Sequence, residues 1–383
     1  MAEVRGSIPL GSTRIRRVGV PSKIRLRAVG NIASMNSSED AQTGKTRAGF
    51  RMLAEWEPHE LTLVAWPQRE DAWRGTTIEA ARNTNAEVVA AIAAFEPVLL
   101  VADPSQSADA RSRVPTENVE VLELPIDDSW LRDSGPIILS DDRGERAGID
   151  FRFNAWGDAF SPYENDAAVS EGLLAHLGIR RETSPMVLEG GSIAVDGQGL
   201  LVTTEQCLLD PTRNPDLDRE SIDEELRLRL GTGPTIWLKD GLIEDVDTDG
   251  HVDNICAFYA PGKALLQTVA EKSDRNWEGT QENLARLRKA GIEVTELDLL
   301  PRITGEDEGV VVVPYTNFYV ANGALIVPVS GVDPEMDEEA LRRIGELYPG
   351  REAVGIDGRT LALGGGGIHC ITQQVPASRR REG

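Results

Sequence analysis

One pattern constrains the fold of this 383-residue chain more than any other: a helix-then-strand unit that recurs five times. Amphipathic helical spacing appears at Ile78–Phe95, Asp166–Leu177, Asp216–Leu230, Trp277–Ala290 and Pro334–Leu347. Each is followed by a short apolar or β-branched run: Val98–Val101, Met186–Leu188, Thr235–Leu238, Ile292–Leu297 and Ala353–Ile356. Further strand-like runs at Leu61–Trp66, Leu200–Thr204, Lys263–Val269 and Leu325–Val329 fill the gaps. Helical and strand periodicities mixed in this way exclude all-α and all-β classes and leave α/β. A recurring supersecondary unit predicts a repeat architecture, though counting units does not separate it from a doubly wound sheet.

The segment Gly364-Gly-Gly-Gly-Ile-His-Cys370 carries the strongest chemical signal. Glycine has no Cβ, so such a run can bring backbone against a ligand. An apolar stretch, Thr360–Leu363, leads into it and reads as β-like. Cys370 is then either a thiolate nucleophile or a buried cysteine beside a glycine turn. A cysteine nucleophile needs a positioned acid/base, and the chain has only four histidines. His176 lies in a helical pattern and His59 in a loop, Trp56-Glu-Pro-His59. His369, if the stretch is extended, points to the face opposite Cys370. That leaves His251, in Asp245-Val-Asp-Thr-Asp-Gly-His-Val-Asp-Asn254, where a strand would put His251 and Asp253 on one face. The same stretch mimics the start of a calcium loop, but its twelfth residue is Cys256 where a bidentate Glu is required. Zinc is disfavoured too, since no HExxH or CxxC spacing accompanies His251. Two other segments set an acid beside glycine or proline between apolar runs: Asp127–Pro136 and Leu188–Ser192. Taken singly, each reads as an acidic surface turn; together they do not.

In these stretches the chain resembles the agmatine deiminases of the guanidine-modifying, or pentein, superfamily. The residues are Trp130-x-Arg-Asp-x-Gly-Pro136, Glu189-Gly-Gly191, Gly250-His-Val-Asp-Asn254 and Gly364–Gln374. Supporting stretches are 49–59, Phe153–Gly157, Cys207–Pro215 and Asn317–Gly323. The resemblance spans residues 49 to about 376. One departure is Asp158, where the family often has a second glycine. The resemblance implies a five-unit α/β propeller of ββαβ-type repeats around a central active site. It also implies roles. Asp133 and Asp253 hold the guanidinium by paired hydrogen bonds, Cys370 attacks its carbon, and His251 protonates the departing ammonia. Glu189 orients the histidine or the guanidinium. Trp130 walls the pocket, Gly367 lies against the substrate, and Asp127, Asp128, Trp156 or Asp158 meets the distal amine. No cofactor or metal is implied. Arginine or peptidyl-arginine deimination is the nearest alternative, with Arg132 and Arg213 suspected as carboxylate binders. A non-catalytic pentein-fold binding protein is the alternative of another class.

Net charge is −23, which disfavours nucleic acid and anionic membranes and favours a small cationic ligand such as agmatine. Three cysteines in so long a chain argue against a disulfide framework and for a reducing, cytoplasmic setting. Cys207 and Cys256, in apolar runs, read as packing residues. A homo-oligomer is expected from the family. Residues 49–376 read as one catalytic domain. Residues 1–48 hold nine Arg/Lys against three acids and read as a disordered extension or an over-long start, with a transit peptide as the alternative. Residues 377–383 read as a basic tail.

Overall fold

A computed structural model of the protein describes residues 49–73, 75–304 and 309–378. The N-terminal extension, residues 1–48, and residues 379–383 of the C-terminal tail lie outside those residues. The described chain is α/β, and the repeat unit is visible in four small sheets of one design. In each, two antiparallel strands are followed by a helix that crosses back to a strand parallel to the second. The second unit pairs Ile137–Ser140 with Arg146–Arg152, crosses through Glu164–Leu177 and returns as Arg180–Val187. The third uses Ala194–Val195, Leu201–Thr204, Arg219–Leu230 and Thr235–Leu238. The fourth uses Cys256–Ala260, Lys263–Gln267, Trp277–Lys289 and Glu293–Leu297. The fifth uses Tyr319–Val320, Ala324–Val329, Pro334–Leu347 and Glu352–Asp357.

The first unit is built differently. Its central strand, His59–Ala65, runs parallel to Val98–Ala102 across the helix Ile78–Ala93. Its antiparallel partner is Thr372–Pro376, contributed from the far end of the sequence. This pairing ties the two ends of the domain together and seats Cys370 two residues before a strand of the first sheet.

Local chemistry explains the helix starts. Thr77, Asp218 and Asp333 each accept the backbone N–H three residues on, and Pro334 occupies the first turn of the last long helix. The crossing helices bury one stripe against their sheets, as Val88, Val89 and Ile92 do in the first. Among the described residues, no helix is long and apolar enough to cross a membrane.

The five helices fall where periodicity puts them, within a few residues, and so do four of the strands after them; the strand expected at Met186–Leu188 is Arg180–Val187, beginning six residues earlier. Two readings are corrected. Thr360–Leu363 is not a strand: Arg359–Leu363 is a short helix that buries Leu361. An apolar run this short has no period of its own to separate the two states. His251–Asp253 is not a strand either; Val252–Asn254 is a single 3-10 turn.

Packing between helix and sheet is close in the second unit. A Cβ on Gly148 would meet both methyl carbons of Leu174, one of them at 2.7 Å. Gly148→Ala should therefore cost about 2 kcal/mol through overpacking, read as a lower urea midpoint with an unchanged denaturant slope.

Candidate active site

Five of the acids and bases singled out in the sequence converge. Asp133 sits in the one-turn helix Leu131–Ser134, Glu189 precedes a turn at Gly190–Ser192, and His251 and Asp253 flank Val252. Cys370 lies in a turn spanning His369–Ile371. All are buried, with Glu189 and His251 at 0% exposure and Cys370 at 3%. Gly191 makes their approach possible: a Cβ there would come within 2.7 Å of His251 Nδ1 and 2.9 Å of both Asp133 Oδ1 and Asp253 Oδ2.

Each carboxylate is anchored on one side and open on another. Asp133 accepts the Gly191 N–H at 2.9 Å on Oδ1 and the Trp156 indole N–H at 3.0 Å on Oδ2. Asp253 Oδ2 bonds His369 Nδ1 at 2.9 Å, while its Oδ1 has no partner. Glu189 Oε1 accepts from Arg213 Nε at 2.9 Å, and its Oε2 has none. Both ring nitrogens of His251 lack hydrogen-bond partners, although Nδ1 lies 3.9 Å from Asp133 Oδ1. Buried polar atoms of this kind ordinarily find partners, and here four positions on Asp253, Glu189 and His251 have none among the protein atoms.

The electrostatics follow from burial and crowding. Burial, with Asp253 and Glu189 adding to it, pushes the Asp133 carboxyl up to about 6 against the pull of His251. Burial alone would lower the His251 imidazole, but Asp133, Asp253, Glu189 and Asp245 together raise it, so it favours the imidazolium. Burial pushes the Cys370 thiol well up, and Asp253 and Asp133 push it further; the Gly367 N–H and the Asn317 amide act in the opposite direction. The Asn317 amide donates to Cys370 Sγ at 3.3 Å, and Sγ lies 3.6 Å from Asp253 Oδ2.

Cys370 opens onto a pocket of about 360 Å³ that is also lined by Trp130, Asp133, Trp156, Asp128 and Asp247. Trp73 and Trp130 lie with ring centroids 5.6 Å apart, and a Cβ on Gly366 would collide with Trp130. Gly367 is as tightly placed, against the Asn317 side chain. Trp156 is carried on four successive residues with positive φ, Ala155 to Asp158. Asp127 does not line the pocket: its carboxylate accepts the Asn165 backbone and amide N–H groups at 2.8 Å, and its neighbour Asp128 lines it instead. Asp158 accepts the Tyr163 hydroxyl at 2.7 Å.

His369 does not point away from the nucleophile. The backbone turns at His369–Ile371 instead of running extended, so strand alternation does not apply. Arg132 and Arg213 are both engaged inside the protein, Arg132 by Glu55, Gln373 and Gln374, and Arg213 by Glu189 and Asp249. The acidic stretch before His251 is consumed in the same way: Asp245 accepts from Thr248, the His251 N–H and Asn254. Among the described residues, Glu189, Cys207 and His251 bring possible metal-ligand atoms within 4.8 Å of one another, but the Arg213 cation already neutralises Glu189 there. Burial drives the Cys256 thiol up to about 12, and the Cys207 thiol is raised in the same way. Sequence reasoning gave no role to Asn317, Glu55, His369 or the Arg213–Glu189 pair.

The Porphyromonas-type peptidyl-arginine deiminase family matches this sequence over residues 51–376. An agmatine deiminase from Pseudomonas aeruginosa (strain LESB58) is 40% identical over 360 residues, which cover 87% of this chain and 97% of that protein. One from Medicago truncatula is 40% identical over 368 residues, 86% of this chain and 97% of that one. The solved agmatine deiminase of Enterococcus faecalis superposes with a TM-score of 0.81 at 34% identity, covering 86% of this chain and 96% of its own. Fold and sequence together define an α/β protein of the deiminase type. The chain belongs to the Porphyromonas-type peptidyl-arginine deiminase family, with agmatine deiminases among its relatives.

Removing the Arg213 cation leaves Glu189 buried and uncompensated. Arg213→Met should destabilise the fold by about 3–5 kcal/mol. Adding Glu189→Gln should restore about half of that loss, which a thermal-unfolding comparison of the single and double variants would show.

Proposed function

We propose that this protein is an agmatine deiminase, hydrolysing the guanidinium of agmatine to N-carbamoylputrescine and ammonia through a covalent adduct on Cys370. The observation that carries this reading is the cluster of buried carboxylates that joins that thiol to a buried histidine. Asp133, Glu189 and Asp253 face one imidazole, with an oxygen of Glu189 and one of Asp253 unpartnered. A planar cation whose N–H groups diverge in one plane supplies the missing donors. The names of the relatives point to the same substrate.

Burial and the two aspartates favour the protonated thiol of Cys370. A guanidinium held between Asp133 and Asp253 cancels those charges, so the thiol releases its proton to solvent as the substrate binds. The thiolate adds to the guanidinium carbon. His251, as imidazolium, protonates one amino group, and the C–N bond breaks to release ammonia. The neutral His251 then takes a proton from water, and the resulting hydroxide adds to the thiouronium carbon. The C–S bond breaks, the thiolate is regenerated, and the proton on the urea oxygen passes to solvent, where the ammonia already released becomes ammonium; the thiolate regains a proton from solvent as the product leaves. Glu189, fixed by Arg213, orients the ammonia-leaving side.

The charge of the pocket lining supports agmatine over arginine. Asp128 and Asp247 line it together with Cys370, and its described lining includes no Lys or Arg. The butyl chain lies along Trp130 and Trp156 with its ammonium toward those acids, whereas the α-carboxylate of arginine would meet like charge. The five units form a propeller around this pocket in this reading, as one catalytic domain. Putrescine formation or agmatine breakdown in a cytoplasmic homo-oligomer fits the acidic chain.

Ammonia release should be measured in parallel with agmatine, free arginine and a peptidyl-arginine, with products identified by mass. The expected result is turnover of agmatine alone, and none by Cys370→Ser with its fold intact. Full activity in that variant would falsify the covalent route. The pH dependence has a definite sign. Asp133 is protonated below about 6, and only its ionised form holds a cation, so kcat/KM should fall as pH drops through that value. Its contribution to stability runs the other way: present below its unfolded value of 3.8 and lost as pH rises through about 6.

A further inference from the structure

Behind the nucleophile lies a row of charges that alternate in sign. Glu55 Oε1 is 2.7 Å from His369 Nε2, and His369 Nδ1 is 2.9 Å from Asp253 Oδ2. That same oxygen is the one 3.6 Å from Cys370 Sγ. Both ring nitrogens of His369 face carboxylates, an arrangement only an imidazolium can satisfy as a double donor. Arg132 completes the row: it donates Nε to the His369 carbonyl at 3.3 Å and Nη1 to Glu55 at 3.3 Å. On the far side, Glu55, His369 and Asp253 wall a second cavity, of about 410 Å³, which Cys256 and Tyr348 also line. Burial raises both of those groups, so neither brings charge to the row.

We propose that His369 is a positioning residue of this site: as an imidazolium clamped between Glu55 and Asp253, it turns the free oxygen of Asp253 toward the substrate and offsets that carboxylate's charge at the Cys370 sulfur. This rests on the reading of Cys370 as the nucleophile.

The groups around His369 set the balance. Burial and the Arg132 cation lower its basicity, while Glu55 and Asp253 outweigh them and raise it. Glu55 is held near 2 against its own burial, chiefly by His369 and Arg132. The Glu55 side of the clamp is itself fixed, because His59 Nε2 meets the Glu55 carbonyl at 3.0 Å. Asn317 fixes the other side by accepting the His369 backbone N–H at 3.0 Å while donating to Cys370. Without the imidazolium, Asp253 would present an uncompensated negative charge to the sulfur, and the thiolate would form less readily.

Alkylation of Cys370 by iodoacetamide tests this without any substrate, using the full-length protein with Cys370→Ser as the blank. His369→Asn keeps an N–H donor toward Asp253 but carries no charge. It should slow alkylation at pH 8 about tenfold, the effect of raising the thiol by about one pH unit. Glu55→Gln keeps an acceptor for Nε2 but lets His369 lose its proton earlier, so it should alkylate like wild type at pH 6 and lag at pH 9. A wild-type rate in His369→Asn at every pH overturns the proposal. If that variant does not fold, a Glu55→Gln to wild-type rate ratio that stays constant from pH 6 to 9 overturns it equally. Should the wild-type protein release no ammonia from agmatine while these shifts persist, the substrate reading fails and the clamp stands.

Discussion

Three carboxylates buried side by side govern the rest of this site. Asp133, Glu189 and Asp253 crowd around a single imidazole in the interior, where desolvation already opposes ionisation. Arg213 neutralises Glu189, His369 compensates Asp253, and Asp133 receives an indole, a backbone N–H and the His251 ring 3.9 Å away. In the proposed reading a cationic substrate meets the carboxylate oxygens left without donors. The same aspartates push the Cys370 thiol up. Neighbouring features serve the arrangement: Gly191 lets three side chains approach, and Asp245 pins the backbone of His251.

Much of this was legible in the sequence, and for physical reasons. The five helices declare themselves through the 3.6-residue period, and the strands after them through short branched runs. The reactive groups stand out because acids beside glycines, repeated in several stretches, have few structural uses. What remained hidden depends on contacts across the chain. His369 and Glu55 are 314 positions apart, and no local pattern announces their pairing. The role of His369 was obscured by an assumption of extended backbone where there is a turn. Asp127 and Asp128 were not separable in sequence, because which carboxylate faces the pocket depends on Asn165 taking the other. Glu55, Arg213 and Asn317 all lie in stretches that carried the family resemblance, but the types of these residues alone did not give their partners.

The loop bearing Trp156 shows the cost of such a site. Ala155, Trp156 and Asp158 all hold positive φ, which residues with a Cβ adopt only when their surroundings compel it. The compulsion is visible: Asn154 accepts the Gly157 N–H, Tyr163 bonds Asp158, and the indole of Trp156 reaches Asp133. Strain in the backbone is thereby exchanged for the position of one aromatic wall.

The pairing of Thr372–Pro376 with His59–Ala65 has an implication for how the molecule comes into being. On the ribosome, the strand that completes the first sheet is made after all the other units, and the cysteine is made with it. A nascent chain can assemble four sheets and bury their helices while the first sheet keeps an open edge and the carboxylates face no thiol. Closure of the sheet and arrival of the cysteine therefore coincide, and a chain interrupted before residue 370 would be left with a bare sheet edge for chaperones to guard.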